Sequence, residues 1–338
     1  MADERFLVVR LTSLGDIVHT LPAVAALRDS FPRARIDWVV ERRWTPIVRA
    51  CTDLDAVIPL ERGARGELLS CIWQLRAARY TCAIDFQGLY KSAVLAWLSG
   101  AKRRIGFDRH FARETGAAVF CTERVVPDAG HVIEHNLALA ERAGARRSTS
   151  SFRLRIPTEA QAEMDRRLAE RGLREFFVLS PGGGWRAKLW PPERYGELSR
   201  ELEQRYGWRG VVAFGPGESG LMETVCRAAA PAEPVSVPAD LAQLMALLAR
   251  AKFVVAADTG PLHLAVALGT PVIGLYGPTD PKRNGPFGPG HVFIRNARPE
   301  ETSYKRQKEH AATMLSISVE QVLSATEHQF AQNQRSPG

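Results

Sequence analysis

Asp16 is the residue of this sequence that is best placed to accept a proton in a reaction. It follows the apolar run from Phe6 to Arg10 and a loop that ends at Gly15, where a strand gives way to a helix. A carboxylate there could take the proton of a nucleophilic hydroxyl group, which typically speeds a reaction about 10²–10⁴-fold. Because a helix N-terminus lowers the pKa of a carboxyl group, the proton would have to move late. A Gly-Asp pair alone is also typical of a helix cap, and His19 is either a helper or an ordinary helix residue.

The turn from Ala257 to Gly260 could bind phosphate oxygens. It links a buried strand to a helix, whose first N–H groups are free and carry the positive end of the helix dipole. Thr259 could donate from its hydroxyl group, Gly260 lets a ligand approach the backbone, and His263 lies one turn into the helix. The alternative is that Asp258 or Thr259 only caps the helix.

The loop after residues 176–180 combines three glycines, at 182–184, with the cations Arg186 and Lys188. Open backbone and positive charge suit a diphosphate, although a glycine turn beside an exposed lysine is an equally good interpretation. The loop has neither the G-K-[ST] of a Walker A motif nor the G-x-G-x-x-G of a dinucleotide site. Glu218 follows the next strand, where a carboxylate could accept ribose hydroxyl groups or simply face solvent.

A basic cluster in the first half could bind an acidic or phosphorylated partner. Arginine forks match carboxylate and phosphate groups, and Gln87 precedes the cluster in the chain. A solvated basic surface is an equally good interpretation of the charges alone. The D-x-D sequence of Asp53 and Asp55 precedes a strand, so we predict no metal site there. The cluster comprises Lys91, Lys102, Arg103, Arg104, Arg109, His110 and Arg113.

Short apolar runs alternate with amphipathic stretches, which predicts parallel βαβ units in an α/β protein. Open parallel sheets bind ligands at the carboxyl ends of their strands, so we expect sites in the loops after Arg10, Ser180, Phe214 and Ala257. The predicted strands are 6–10, 36–40, 56–60, 82–86, 176–180, 210–214, 253–257 and 272–276, and the predicted helices include 67–79, 88–98, 193–206, 241–249 and 263–268.

The length of 338 residues favours two domains. We predict an N-terminal domain over 1–150 and a C-terminal domain over 151–315. The segment 316–338 is predicted to hold a last helix, from Ser318 to about His328, and a disordered tail from Gln329.

The composition is that of a globular protein with acidic partners. Hydrophobic residues make up 45% and charged residues 24%, and the formal net charge of +8 suits nucleic acid, anionic lipid or a phosphorylated substrate. Five cysteines without C-x-x-C spacing argue against a disulfide framework or a zinc site, and favour a cytoplasmic location. The start of the chain is not typical of a secretory signal. The sequence has no run of about 18 apolar residues, so we predict no membrane-spanning helix.

Six motifs, in the same order along the chain, resemble those of glycosyltransferase family 9. Within the family the set is most similar to the heptosyltransferase I branch, while the Pro-Gly-Gly-Gly-Trp loop at 181–185 is closer to the heptosyltransferase II branch. The motifs span Thr12 to Pro22, Asp37 to Glu41, Ile84 to Ala93, Lys188 to Pro191, Ala251 to His263 and Tyr276 to Pro281.

The resemblance implies a GT-B fold, in which two Rossmann-like parallel-sheet domains face a cleft. It implies that the N-terminal domain binds the acceptor and the C-terminal domain the donor. The implied reaction is an inverting transfer of L-glycero-D-manno-heptose from ADP-heptose to the Kdo of Kdo-lipid A, without a metal ion or other cofactor. Such an acceptor would bring the enzyme into peripheral contact with the inner face of the inner membrane. No nucleic-acid partner is implied.

The resemblance also assigns roles by matching positions. Asp16 would be the general base. The donor-binding residues would be Lys188, Thr259 and Gly260 at the diphosphate, His263 near it, Asp258 at the heptose and Glu218 at the ribose. The acceptor-binding residues would be Ser13, Gln87, Lys91, Arg104 and Arg113.

Two alternatives stay open from the sequence. One is another enzyme of the family, either heptosyltransferase II or a transferase with a different donor or acceptor. The other is a non-catalytic protein of the same fold that binds a nucleotide sugar or lipid A, although the carboxylate of Asp16 speaks against it. A dehydrogenase is disfavoured because G-x-G-x-x-G opens neither half, and no recognised nucleic-acid module is present.

Overall fold

The computed structural model describes residues 4–61, 65–128, 130–147, 151–215, 217–304 and 310–335, with only the backbone described for 65 and 330–335. The chain forms two compact units, Met1–Arg155 and Ile156–Gly338. Residues 151–155 belong with the first unit, because Leu154 forms a β-bridge with Cys51 and the guanidinium group of Arg153 lies 2.7 Å from the carboxylate of Asp29.

The N-terminal unit is one parallel sheet of six strands with helices between them. The strand order is β3-β2-β1-β4-β5-β6, and every described pairing is parallel. Its elements are β1 (Arg5–Val9), α1 (Leu14–Val18), α2 (Leu21–Ser30), β2 (Arg35–Glu41), α3 (Thr45–Arg49), β3 (Ala56–Leu60), α4 (Arg65–Ala77), β4 (Cys82–Asp85), α5 (Tyr90–Leu98), β5 (Arg103–Phe107), β6 (Glu123–Val125) and α6 (Val132–Ala143).

The C-terminal unit repeats this architecture. Its sheet has the order β12-β11-β10-β7-β8-β9, again with parallel pairings. Its elements are α7 (Thr158–Glu170), β7 (Phe176–Ser180), α8 (Pro192–Tyr206), β8 (Arg209–Val212), α9 (Ser219–Ala229), β9 (Val235–Ser236), α10 (Leu241–Arg250), β10 (Val254–Ala257), α11 (Gly260–Ala267), β11 (Val272–Tyr276), α12 (Pro281–Asn284), β12 (Val292–Arg295), α13 (Ala312–Leu315) and α14 (Val319–Arg335).

The central strands are buried on both faces because helices cover both sides of each sheet. Residues 6–9 of β1 and 254–257 of β10 are all buried, which explains why these strands read as continuous apolar runs without polar alternation. In the C-terminal core, the rings of Phe177 on β7 and Phe253, just before β10, stack with centroids 5.3 Å apart.

The strand order places one switch point in each sheet. Counted from its first strand, each sheet runs 3-2-1-4-5-6, the order of a doubly wound Rossmann sheet. The chain therefore leaves in opposite directions from β1 and β4, and from β7 and β10, and the crevice between those strand ends is where such sheets bind ligands. The loops after Arg10, Ser180 and Ala257, expected to carry chemistry, all begin at these two switch points.

The structure confirms the predicted α/β architecture and the predicted strands, with shifts of one or two residues at some ends. The C-terminal helix is longer than predicted. It runs to Arg335, with Val322 and Leu323 in the C-terminal core and Gln329 buried, while the disorder predicted from Gln329 stays a prediction. The sequence pattern did not reveal β5, β6, β9 and β12, which are outer strands of their sheets, or the helices α6, α7 and α9.

Candidate active site

Asp16 lies just beyond the carboxyl end of β1, at the switch point of the N-terminal sheet. It is the third residue of α1, and its Oδ2 accepts hydrogen bonds from the backbone N–H of Ser13, at 3.2 Å, and from the Ser13 hydroxyl group, at 3.0 Å. Asp16 therefore caps the start of this short helix, which was the alternative interpretation of the Gly-Asp pair.

The other carboxylate oxygen of Asp16 pairs with two arginines. Nη2 of Arg10 and Nη2 of Arg113 each lie 2.8 Å from Oδ1. Burial, the largest influence, raises the pKa of this carboxyl group. The two guanidinium groups and the Ser13 N–H outweigh burial, so the net pKa lies well below its ordinary value. In this arrangement Asp16 is ionised but only a weak base.

Arg10 is a candidate site residue that the sequence analysis missed. It follows β1 directly, is buried, and donates from its other terminal nitrogen to the carbonyl oxygen of Phe86. A buried cation anchored in this way holds the carboxylate of Asp16 in a fixed position. The signal was present in the sequence, because a charged residue ends the otherwise apolar run of a central strand.

Gln87 fixes the loop that leads to Asp16. Its Oε1 accepts from the backbone N–H of Leu11 at 2.7 Å, and its Nε2 donates to the hydroxyl group of Thr12 at 3.3 Å. Gln87 is itself buried, and its backbone N–H donates to Asp85 Oδ1 at 2.9 Å. Gln87, which is predicted to bind the acceptor, follows β4. Its side chain positions the loop at Leu11 and Thr12, which follows β1.

Lys91 and Arg113 remain accessible near this loop. Lys91 Nζ lies 3.3 Å from Oε1 of Glu41, and the backbone N–H of Glu41 donates to the carbonyl oxygen of Leu11. The side chains of Lys91 and Arg113 are 40% and 48% exposed. Both cations can therefore meet a ligand from solvent.

Arg104 is not brought together with Asp16. It is the second residue of β5, toward the amino end of the strand, whereas Asp16 lies beyond the carboxyl end of β1. Its guanidinium group donates to the backbone carbonyls of Ala101, at 2.9 Å, and Phe120, at 2.8 Å. The acceptor role of Arg104 stays a prediction, and in the structure its guanidinium group holds the chain on either side of β5.

Lys188, Asp258 and His263 form a charged cluster in the C-terminal unit. Lys188 Nζ lies 2.5 Å from Asp258 Oδ2, and His263 Nε2 lies 3.1 Å from Asp258 Oδ1. Asp258 and His263 are buried, and the ammonium group of Lys188 also stacks on the Trp185 ring at 4.5 Å. Burial raises the pKa of the Asp258 carboxyl group, but the bonds to His263 and Lys188 outweigh it and hold the pKa well below its ordinary value.

The glycines of the 182–184 loop approach two of the predicted donor-binding residues. A side chain on Gly182 would overlap the carboxylate of Glu218, and one on Gly183 would overlap the methyl group of Thr259. The Glu218 carboxylate also accepts from the backbone N–H of Gly215 at 2.6 Å. The absence of side chains at 182 and 183 is therefore what lets the loop after β7 lie against the loops after β8 and β10.

Five of the six predicted donor-binding residues lie together at the start of α11, where ion pairs and hydrogen bonds connect several of them. Thr259 precedes the first residue of α11, Gly260, so free N–H groups of α11 open beside the cluster. A diphosphate suits this combination of a cation and free N–H groups. The residues are Lys188, Asp258, Thr259, Gly260 and His263, and Glu218 contacts the same glycine loop.

Neither a metal-binding cluster nor a membrane-spanning helix is found in the part of the chain that the structure describes. Among these residues, no group of three or more His, Cys, Asp or Glu side chains could hold a metal ion. None of the described helices is long and apolar enough to cross a membrane.

The sequence model of the protein family glycosyltransferase family 9 (heptosyltransferase) matches residues 68–313 of this chain. Lipopolysaccharide heptosyltransferase 1 of Pseudomonas aeruginosa is 32% identical over 307 residues, which are 86% of this chain and 83% of that protein. The enzyme of the same name from Escherichia coli K12 is 30% identical over 315 residues, 87% of this chain and 94% of that protein. Lipopolysaccharide heptosyltransferase 2 of E. coli K12 is 25% identical over 311 residues, 86% and 88% of the two chains.

A solved structure agrees with these relatives. E. coli heptosyltransferase WaaC with ADP superimposes with a TM-score of 0.74 and 27% identity, covering 97% of this chain and 98% of that one. This chain has two six-stranded parallel sheets, each covered by helices and each with a switch point where loops gather. These are the two Rossmann-like halves of a GT-B glycosyltransferase. The chain therefore belongs to glycosyltransferase family 9, the heptosyltransferases, and is an enzyme of that family.

Proposed function

We propose that this enzyme transfers L-glycero-D-manno-heptose from ADP-heptose to the Kdo of Kdo-lipid A, with inversion and without a metal ion. The observation that carries the proposal is the convergence of Lys188, the 182–184 loop and the start of α11 at one switch point. The higher identity to two heptosyltransferases 1 than to heptosyltransferase 2 supports Kdo-lipid A as the acceptor.

The C-terminal unit would bind the donor through its charged cluster. The Lys188 ammonium group and the backbone amides of Thr259 and Gly260 supply positive potential for the diphosphate, and His263 borders them. Glu218 can accept the ribose hydroxyl groups, and Asp258 those of the heptose. The related WaaC was solved with ADP, which supports an adenine nucleotide as the donor's carrier here.

The N-terminal unit would supply the base. The acceptor hydroxyl oxygen forms a bond to the anomeric carbon as the bond from that carbon to the diphosphate oxygen breaks. Asp16 takes the hydroxyl proton, and ADP leaves. One displacement inverts the anomeric centre. Because the pKa of Asp16 is low, the proton moves late, when the attacking oxygen has become acidic through its new bond.

Protein charges would stabilise the leaving group in place of a metal ion. Negative charge grows on the diphosphate as the glycosidic bond breaks, and Lys188 and the N-terminus of α11 would neutralise it. The carboxylates of Asp16 and Asp258 already pair with cations of the protein, which leaves them poor metal ligands.

A lipid acceptor would draw the enzyme to the inner face of the inner membrane. On α4, the side chains of Leu69 and Trp73 are 66% and 79% exposed, one helical turn apart. Arg76 of the same helix is exposed and donates to the carbonyl oxygen of Leu98, at the end of α5. An apolar stripe with an adjacent arginine suits an anionic lipid surface, and we assign the membrane contact to this face.

Vesicle flotation tests this face. The double variant Leu69→Ser, Trp73→Ser should lose most of its binding to anionic vesicles, while Leu315→Ser, at a 45% exposed leucine of the C-terminal unit, should bind like the wild type. Binding of the double variant at the wild-type level would assign the contact to another surface.

Product analysis by mass spectrometry tests the reaction itself. ADP-, GDP- and UDP-sugars are offered with Kdo-lipid A and, separately, with Kdo-lipid A that already carries a heptose. We expect one added heptose, from ADP-heptose, on the unmodified acceptor. Asp16→Asn should lower turnover at least about 10²-fold and keep ADP-heptose binding near normal. Transfer only to the heptosylated acceptor would identify a heptosyltransferase 2, and full turnover by Asp16→Asn would remove the assigned base.

A further inference from the structure

The carboxylate of Asp16 has no free position for the proton of a substrate. Oδ1 receives Nη2 of Arg10 and Nη2 of Arg113, each at 2.8 Å. Oδ2 receives the backbone N–H and the hydroxyl group of Ser13, at 3.2 and 3.0 Å. A carboxylate offers about four lone-pair sites, so these four donors occupy it. A general base must lose one of them before a hydroxyl group can approach it.

Exposure and anchoring decide which donor can leave. Arg10 is 3% exposed and is held by a second hydrogen bond to the carbonyl oxygen of Phe86. The Ser13 N–H belongs to the backbone at the start of α1. Arg113 lies on a long side chain that is 48% exposed, and the Ser13 hydroxyl group can rotate. Two candidates remain, the guanidinium group of Arg113 and the serine hydroxyl group.

Charge distinguishes these two candidates. Rotation of the Ser13 hydroxyl group frees a lone pair but leaves both cations on Asp16, so the carboxylate stays a weak base. Departure of Arg113 frees a lone pair and removes a positive charge at 2.8 Å, which makes the carboxylate more basic. The other charged groups that act on the site stay in place, namely Arg10 and His19 toward Asp16, and Asp85 toward Arg10.

We propose that Arg113 is shared between Asp16 and a carboxylate of the acceptor, so that binding of an acidic sugar draws Arg113 away from Oδ1 and frees Asp16 to take the hydroxyl proton. The inference rests on the proposed role of Asp16 as the base. A planar guanidinium group pairs with a carboxylate through two parallel hydrogen bonds, and an acidic sugar can offer this group beside its reacting hydroxyl. Arg113 is thus a positioning residue that makes the base available only with the acceptor bound.

The arrangement has a second consequence, which concerns water. Without acceptor, an active base could take a proton from water as the water oxygen attacks the anomeric carbon and ADP leaves, which destroys the donor. Arg113 on Oδ1 suppresses this hydrolysis. Loss of Arg113 should therefore raise hydrolysis of ADP-heptose and lower transfer to the acceptor, a pair of opposite changes that a purely structural role would not produce.

The test compares Arg113→Ala with Arg147→Ala, which removes an arginine of the same unit that is 60% exposed and pairs with Glu134 and Glu141. ADP-heptose hydrolysis is measured without acceptor, and transfer is measured to the carboxylate acceptor and to an analogue with the carboxylate reduced to an alcohol. We expect Arg113→Ala to hydrolyse donor several-fold faster. Its preference for the carboxylate acceptor should fall from at least about tenfold to near one, because the pairing that it lost favours only that acceptor. Arg147→Ala should match the wild type in both measurements.

A second measurement does not depend on activity. In protein labelled with ¹³C at aspartate carboxyl groups, NMR titration should show the pKa of Asp16 rising when acceptor binds the wild type. In Arg113→Ala the pKa should be raised already, with no further rise on adding acceptor. Unchanged hydrolysis and preference in Arg113→Ala, or faster hydrolysis in Ser13→Ala instead, would overturn the inference. Full transfer by Asp16→Asn would overturn the proposed function itself, so the two failures are distinguishable.

Discussion

Lys188 Nζ and Asp258 Oδ2 form a 2.5 Å ion pair, in which the aspartate side chain is 3% exposed and the lysine side chain 15%. The pair joins the loop after β7 to the start of α11, and His263 completes it on the second carboxylate oxygen. A bound diphosphate would compete with Asp258 for the lysine. The same ion pair therefore holds two loops together and, in the proposed function, would present the cation to the donor.

Lys188→Ala should weaken ADP binding by about 10- to 100-fold, the loss expected when one charge-assisted hydrogen bond of about 1.5–3 kcal/mol is removed. Isothermal titration with ADP measures this. Lys252→Ala is the matched control, because Lys252 likewise pairs with a carboxylate, Glu175 at 3.1 Å, and lies over a tryptophan ring, Trp208 at 4.2 Å. Equal affinities of Lys188→Ala and the wild type would remove Lys188 from the diphosphate site.

Gly182→Ala should also reduce ADP affinity, because an added methyl group would overlap the Glu218 carboxylate and displace it. Gly184→Ala is the control in the same loop, since a methyl group there meets no atom within 4 Å. Titration with ADP and with adenine base separates the effects: the ribose contact should suffer in Gly182→Ala, and binding of the base should not. A Gly182→Ala protein with wild-type affinity for ADP would argue against the ribose role of Glu218.

The sequence was sufficient to predict the central strands, since each is a continuous apolar run covered by helices on both faces. It could not reveal β6 and β9 in the same way. These edge strands are three and two residues long and half-buried or exposed, so they form mainly because a neighbouring strand offers hydrogen bonds. The last helix was predicted too short because its polar C-terminal residues hide the buried contact of Gln329.

The candidate site was predictable where a residue type and a strand end coincide. Asp16, Lys188 and Asp258 follow apolar strands, and the strand order then gathers them at the switch points. Arg104 belongs to the same basic cluster in the sequence as Arg113, yet it lies near the opposite end of its strand. Net charge and spacing cannot separate the two arginines, because only the three-dimensional path of the chain decides which carbonyl or carboxylate each one meets.

Asp258→Asn should lower the free energy of unfolding by about 3–5 kcal/mol at neutral pH, because it leaves the ammonium group of Lys188 without its buried counter-charge. The pKa of Asp258 is lower in the folded state than its unfolded value of about 3.9. Its contribution is therefore complete above that value and is lost as the pH falls through the folded pKa. Urea titrations of the wild type and Asp258→Asn should show a constant difference at pH 5–7 that shrinks below about pH 4.

The control for this experiment is Asp165→Asn, which breaks an exposed ion pair with Arg250 and should cost less than about 1 kcal/mol. A pH-independent difference between Asp258→Asn and the wild type down to pH 2 would mean that the charge of Asp258 is not what stabilises the fold.

Gln87→Met should lower kcat at least tenfold and leave ADP affinity unchanged. The substitution keeps the size of the side chain but removes the acceptor for the Leu11 N–H and the donor to the Thr12 hydroxyl group, so the loop before Asp16 loses its fixed position. A displacement of about 1 Å at a catalytic group can cost about 10²-fold in rate. Gln74→Met, at an exposed glutamine of α4, serves as the control in steady-state assays of heptose transfer. The contrary result would be a higher acceptor KM with an unchanged kcat. Gln87 would then contact the acceptor directly, as the resemblance of the sequence to the family implies, and would not act through the loop.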